Sequence, residues 1–97
     1  MFYGIIIRMY YFEMNPYLRD VKPLNDYALE LWFENDEHRI FDVKPYLSKG
    51  IFTRLQDPAI FSSARVVAGS VEWAGELDLS YDTLYLESKP AEASNAA

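Results

Sequence analysis

The only imidazole in the chain, His38, stands beside Asp36, Glu37 and Arg39. A histidine next to carboxylates is the arrangement most often recruited for proton transfer near neutral pH. Such chemistry needs a nucleophile and an orienting acid converging in a site that excludes water. These neighbours instead lie on or beside an expected tight turn at Asn35-Asp36, so a solvated hairpin histidine is expected. Carboxylates are plentiful, at 15, and paired carboxylates can act as acid and base or hold a hard cation. Their spacing is unfavourable: Asp78 and Asp82 flank Ser80, Glu72 and Glu76 surround an expected turn, and neither an Asp-x-Asp-x-Asp-Gly loop nor a His-Glu-x-x-His pair occurs. Capping and solubility are the roles expected of them.

The four glycines, Gly4, Gly50, Gly69 and Gly75, are isolated from one another. Phosphate-binding loops need glycines clustered between a strand and a helix, so no nucleotide site is expected. With no cysteine there is no disulfide, thiolate metal site or thiol nucleophile. The expectation is therefore no catalytic residue, no metal ligand and no cofactor.

Aromatic residues, 16% of the chain, are its most distinctive feature. Phe33, Phe41, Phe52 and Phe61 are expected in the core. Trp32 suits either the core or an interface, because tryptophan buries a large area at little entropic cost.

The elements that must position these residues follow from periodicity. Tyr17–Pro23 reads as a short strand and Asn25-Asp26 as a turn. Tyr27, Leu29, Leu31 and Phe33 alternate with Ala28, Glu30, Trp32 and Glu34, the period of a strand with one buried face. Asn35-Asp36 then returns the chain through Glu37–Val43. A two-residue loop there would set Leu29 opposite Asp42. A three-residue loop, Glu34 to Asp36 with Asp36 left-handed, sets Leu29 opposite Phe41 and Tyr27 opposite Val43, burying like against like, and is preferred. It also places Trp32 across from His38 and Glu30 across from Ile40 on the second face. That face is mixed, and these four residues form the candidate interface, with something expected to cover part of it.

Lys44–Gly50 reads as one helical turn, with Pro45 near its start and Gly50 in the left-handed position past its end. Asp57-Pro58 opens a second short helix that turns Ile60 and Phe61 inward. Ala64–Ala68 and Val71–Trp73 form a second hairpin around Gly69-Ser70, and Ser80 caps a last helical turn. The fold class is thus α+β: a small mixed or antiparallel sheet of about four to five strands with two or three short helices.

A length of 97 residues leaves room for a single core. It is expected in residues 15–88, preceded by an extension over residues 1–14 and followed by a disordered tail over 89–97. The extension crowds Phe2, Tyr3, Ile5, Ile6, Ile7, Tyr10, Tyr11 and Phe12 together. It reads either as an addition upstream of a second start at Met14 or as an extra edge strand used for self-association. Arg8 interrupts it far short of the ~20 apolar residues of a membrane span. No membrane association is expected, and the absence of cysteine suggests the cytoplasm. The net charge of −6, with Lys and Arg scattered, disfavours direct nucleic-acid binding and suits a basic protein partner.

A set of short strings adds a resemblance. Asp20-Val-Lys-Pro-Leu24, Tyr27-x-Leu-x-Leu-x-Phe33, Glu34-Asn35, Arg39-x-Phe-Asp42 and Pro45-Tyr-Leu47 are followed by Gly50-Ile-Phe52, Leu55-x-Asp57-Pro58, Phe61, Val71-x-Trp73, Gly75, Asp78-Leu79 and Leu84-Tyr85. In order and spacing they resemble the bacterial family called domain of unknown function 2442, from about Asp20 to Glu87. Two departures are visible: the family usually has Asn-Gly at Asn35-Asp36 and proline at Tyr81. The resemblance implies a small α+β domain, solitary or fused ahead of a helix-turn-helix domain, whose solitary form often looks like one partner of a toxin–antitoxin-like operon. It supplies no catalytic residue.

The function expected is that of a protein-binding or regulatory module, with such an operon partner as its finer form, binding another protein or itself. A small ligand-binding or carboxylate-based enzyme domain and a homo-oligomeric structural protein are the alternatives.

Overall fold

A left-handed Asp36 (φ 71°) closes the first long hairpin, with the Phe33 amide donating to Glu37 O at 2.9 Å. In the computed structural model, which describes residues 15–91, the strands joined by this turn are β2 (Ala28–Phe33) and β3 (His38–Asp42). The loop is the three-residue one. Leu29 pairs with Phe41, Glu30 with Ile40 and Trp32 with His38, and the Val43 amide donates to Tyr27 O at 2.9 Å.

β1 (Leu18–Leu24) runs antiparallel on the other side of β2, with a bulge between Leu18 and Asp20. The turn joining them contains Asp26 and Tyr27, both left-handed. Tyr27 is held there by its hydroxyl, which donates to Gln56 O at 2.6 Å, and by edge-to-face contact with Phe61. The second hairpin pairs β4 (Arg65–Val67) with β5 (Ser70–Trp73), and β6 (Leu77–Leu79) completes a three-stranded sheet. Its turn is Ala68-Gly69 rather than Gly69-Ser70. Both residues are left-handed (φ 52° and 81°), as the two-residue turn that matches strand twist requires, and Ser70 is already in β5.

Short helices fill the connections. Lys44–Tyr46 and Gly50–Gln56 are 3₁₀ segments, the first with Pro45 in its opening turn and the second begun by left-handed Gly50 (φ 51°). The helix α1 (Pro58–Phe61) is capped by Asp57, whose carboxylate accepts the Ala59 amide at 2.9 Å. The helix α2 (Tyr81–Glu87) is capped by Ser80. The fold is α+β, with two antiparallel sheets sharing one hydrophobic cluster. Leu29, Leu31, Phe33 and Phe41 enter it from the larger sheet, Val71, Trp73 and Leu77 from the smaller, and Leu84 from α2. Phe61 is buried as expected, whereas Phe52 is only half-buried and packs on the cluster from outside.

The chain was expected to be disordered from Lys89. Instead Lys89–Pro90 forms β7, antiparallel to β3, giving the larger sheet the order β1-β2-β3-β7, and Ala91 is 3% exposed. The reason is Arg39: its guanidinium accounts for both Ser88 Oγ (2.6 Å) and Ser88 O (2.7 Å) and draws the chain onto β3. The readings made for Met1–Glu13 and for the chain beyond Ala91 lie outside the described residues.

The sheets are stitched together where the Leu18 amide donates to Gly69 O at 2.8 Å. A β-carbon on Gly69 would lie 2.8 Å from Tyr17 Cγ, and Tyr17 is itself wedged edge-to-face against Tyr81. Gly69→Ala therefore combines a left-handed penalty of about 1 kcal/mol with a steric clash. We expect a loss of ~2 kcal/mol in a urea melt; a loss under ~0.5 kcal/mol would mean that Tyr17 is not packed on this turn.

Candidate functional site

Alternation along β2 sends Leu29, Leu31 and Phe33 inward and Ala28, Glu30 and Trp32 to the opposite, outer face. The pairing register carries β3 with it, so His38 and Ile40 share that outer face with Trp32 and Glu30. All four residues chosen from the sequence are brought together there. Phe33 and Glu37 close the hairpin as a hydrogen-bonded pair, which makes Trp32 and His38 the next, non-hydrogen-bonded pair, where side chains approach most closely. The two rings stack with centroids 5.0 Å apart and planes within 7°. Glu30 fixes the imidazole from the diagonal position: His38 Nε2 lies 2.7 Å from Glu30 Oε2, the nitrogen donating and the carboxylate accepting. The His38 side chain is 41% exposed and that of Glu30 22% exposed, so the trio lies at the surface and is not a buried centre.

Sequence reasoning did not place the rim of this face. Asp20 pairs with Trp32, Lys22 with Glu30, and Lys89 with Ile40, so all three project on the outer side. The register of β1 was the missing signal, because a bulge shifts it by one residue at Arg19. Asp20 Oδ1 accepts the Val21 amide at 2.9 Å and Asp42 Oδ1 meets Lys44 Nζ at 3.0 Å. Burial would raise the Asp42 carboxyl, but the Lys44 amide and ammonium, with the nearby Lys89 ammonium adding to them, outweigh it, and the net shift is downward. Among the described residues Lys22 and Lys89 have no carboxylate partner within ion-pair distance.

Beside His38, Asp36, Glu37 and Pro90 line an open concavity of about 330 Å³. Two carboxylates meet in this concavity, and both already have partners. Asp36 pairs with Arg19 at 3.0 Å. Glu37 accepts from the Tyr85 hydroxyl (2.7 Å), Arg39 (2.8 Å) and Asn35 (2.8 Å). The Tyr85 hydrogen bond leads in holding the Glu37 carboxyl below its ordinary value, with Arg39 and Asn35 adding to it and partial burial opposing. The same hydrogen bond pushes the Tyr85 phenol up. A carboxyl tuned to act as a general acid is shifted the other way. Among the described residues no three histidine or carboxylate side chains are grouped so as to hold a metal ion, and no helix is long and apolar enough to cross a membrane.

The fold and face together define a small α+β domain with an open sheet surface centred on a stacked Trp–His pair. A family model described as "protein of unknown function (DUF2442)" matches residues 18–90, and the chain belongs to that family. The match ends on β7, so the two residues that Arg39 draws onto the sheet fall within the family's extent. No curated protein and no solved structure matches.

Proposed function

We propose that this domain is a non-catalytic protein-binding or regulatory module whose working surface is the outer face of the larger sheet. The observation that carries the reading is the platform itself: Trp32, stacked on His38 and braced by Glu30, stands on the outer face of the larger sheet, where His38 is exposed and Trp32, Glu30 and Ile40 are partly exposed. Pre-ordered aromatics lose little freedom on binding, which is why they anchor interfaces.

Face-on binding is favoured over strand addition because the sheet edges are blunted. β1 carries Arg19, Asp20, Lys22 and Pro23, with a bulge and with the Val21 amide already capped by Asp20. β7 is two residues long and ends in proline. These are the devices by which edge strands avoid pairing with another chain. They also weigh against a homo-oligomer built by edge pairing. The net charge of −6 favours encounter with a basic protein, and the family resemblance adds the finer reading, that of one partner in a toxin–antitoxin-like pair in the cytoplasm.

Substitution of Trp32 tests the reading. Because Trp32 is only partly buried, Trp32→Ala should cost about 2 kcal/mol of stability, from the stacking and the apolar area it covers, less than a core aromatic. Loss of a central anchor should cost 2 kcal/mol or more of binding, a fall of roughly 30-fold in affinity for the neighbouring gene product in a co-expression pull-down and titration. If stability falls steeply while affinity is unchanged, Trp32 is structural and the proposal fails. Purification from the native host without a stoichiometric partner, across growth states, would count against it equally.

A further inference from the structure

We propose that β7 guards the free edge of β3, and that this edge pairs with the β3 edge of a second copy of the chain whenever β7 leaves it.

The two sides of the larger sheet are protected in different ways. β1 carries its protection in its own sequence, with the bulge at Arg19, Lys22 and Pro23. β3 has neither proline nor bulge, and its register against β2 is unbroken. What lies along it is β7, two residues long and held through Ser88 by the Arg39 guanidinium. A ladder this short adds little stability of its own, so one side chain decides whether the edge is covered.

The register shows which groups are at stake. The Phe33 amide donates to Glu37 O and the Val43 amide to Tyr27 O, both at 2.9 Å. Between these contacts, Leu31–Arg39 and Leu29–Phe41 are the hydrogen-bonded pairs of the β2–β3 ladder. The main-chain groups of His38, Ile40 and Asp42 therefore point the other way, to the β7 side. Among the described residues β7 offers a strand partner to Ile40, through Lys89, but none to His38 or Asp42. Donors and acceptors left in such a row are a template for another strand.

A second copy fits that template better than β7 does. Antiparallel pairing about a two-fold axis at Ile40 sets Ile40 against Ile40 of the second copy and His38 against Asp42 of the second copy. All the edge-facing groups are then engaged, an imidazole faces a carboxylate, and no like charges are opposed. Moving the axis to Asp42 would oppose two carboxylates, and moving it to His38 would run β3 into the Asn35-Asp36 turn. The second copy takes the line along β3 that β7 fills, so the two exclude each other. Pairing is closed while Arg39 holds Ser88 and opens when that contact is lost.

The test uses the full chain with Arg39→Ala and, because that change also removes packing on Tyr85, with Arg39→Met, which keeps an apolar stem. Accelerated hydrogen exchange at Lys89 reports that β7 has left. In light scattering both variants should self-associate at least ~10-fold more tightly than the wild-type chain. Adding Ile40→Pro, whose missing amide faces the β7 side, should return them to monomers. The chain has no cysteine. Ile40→Cys in the Arg39→Met background should therefore give a disulfide-linked dimer on mild oxidation, since Cα atoms ~5.5 Å apart in such a pair are within bridging range. Lys22→Cys, on the β1 edge, should not.

A folded variant that releases β7 and stays monomeric would overturn the guard, as would a dimer that survives Ile40→Pro or equal cross-linking from Lys22→Cys. So would a wild-type chain that dimerises as tightly as Arg39→Met while its Lys89 amide stays protected, since β7 would then guard nothing. Unchanged exchange at Lys89 in both variants would overturn it as well, because Arg39 would not be what holds β7 in place.

Discussion

Trp73→Ala is expected to be the most damaging single substitution in the domain, removing about 3–5 kcal/mol. Trp73 is 1% exposed, sits on β5 opposite Leu77, and belongs to the cluster shared by the two sheets. Against the ~5–15 kcal/mol typical of a domain this is a large fraction, and a urea melt should show a collapsed midpoint or no native baseline. Trp73→Phe should behave differently. The indole Nε1 is buried without a hydrogen-bond partner among the described residues, a state that costs roughly 1–3 kcal/mol. Phenylalanine removes that penalty while opening a small cavity, so less than half of the alanine effect is expected. The variant has a practical use as well. The chain has two tryptophans, so Trp73→Phe leaves Trp32 as the sole fluorescent indole to report on the outer face. A loss under ~1.5 kcal/mol for Trp73→Ala would mean that the smaller sheet does not share the core.

What could be read from the sequence depended on how much chain each rule spans. Six residues of alternation in β2, a turn pair and a buried-against-buried criterion were enough to set the β2–β3 register to the residue, and with it the meeting of Trp32 and His38. Caps at Asp57 and Ser80 were legible because one oxygen and one amide decide them. β6 escaped because Leu77, Asp78 and Leu79 are too few to distinguish a strand from the turn before it. The second hairpin was off by one because Ala68, which carries a β-carbon, takes a left-handed position, a strain that a local rule assigns to glycine. β7 was invisible for a different reason. Nothing in Lys89-Pro90 favours a strand, and the cause is a side chain 49 residues away from Ser88 in sequence. A signal for that contact existed: Arg39 has the same parity as Phe41, so the register that exposes His38 turns Arg39 toward the core side.

That arginine yields the second large effect. Its side chain is 16% exposed, its guanidinium contacts Ser88 Oγ, Ser88 O and Glu37 Oε1, and it lies 5.0 Å from the Tyr85 ring centroid. Charge-assisted hydrogen bonds contribute about 1.5–3 kcal/mol each before overlap, so Arg39→Ala should cost about 3 kcal/mol. The loss should also be localised. Hydrogen exchange should accelerate at Lys89 and Ile40, the β7–β3 pair, well before the core strands respond. Arg39→Lys should rescue little, because an ammonium can neither fork between Ser88 and Glu37 nor lie flat on Tyr85. The pH dependence gives an independent check. The Glu37 carboxyl titrates below its ordinary 4.5 in the folded protein, chiefly through Tyr85 and then Arg39. A depressed carboxyl contributes stability that is present above the unfolded value and is lost as pH falls through the folded one. Between about pH 5 and 3 the wild-type protein should therefore lose stability more steeply than Glu37→Gln, with Arg39→Ala intermediate because the Tyr85 hydroxyl still holds Glu37 down. Equal acid slopes in all three would show that Arg39 and Glu37 do not act on one another, leaving Ser88 as the sole reason β7 is in place. His38 and Pro90 line the same concavity, so a loosened β7 would also open the rim of the candidate site. Partner affinity should then fall in Arg39→Ala although Arg39 does not reach the outer face.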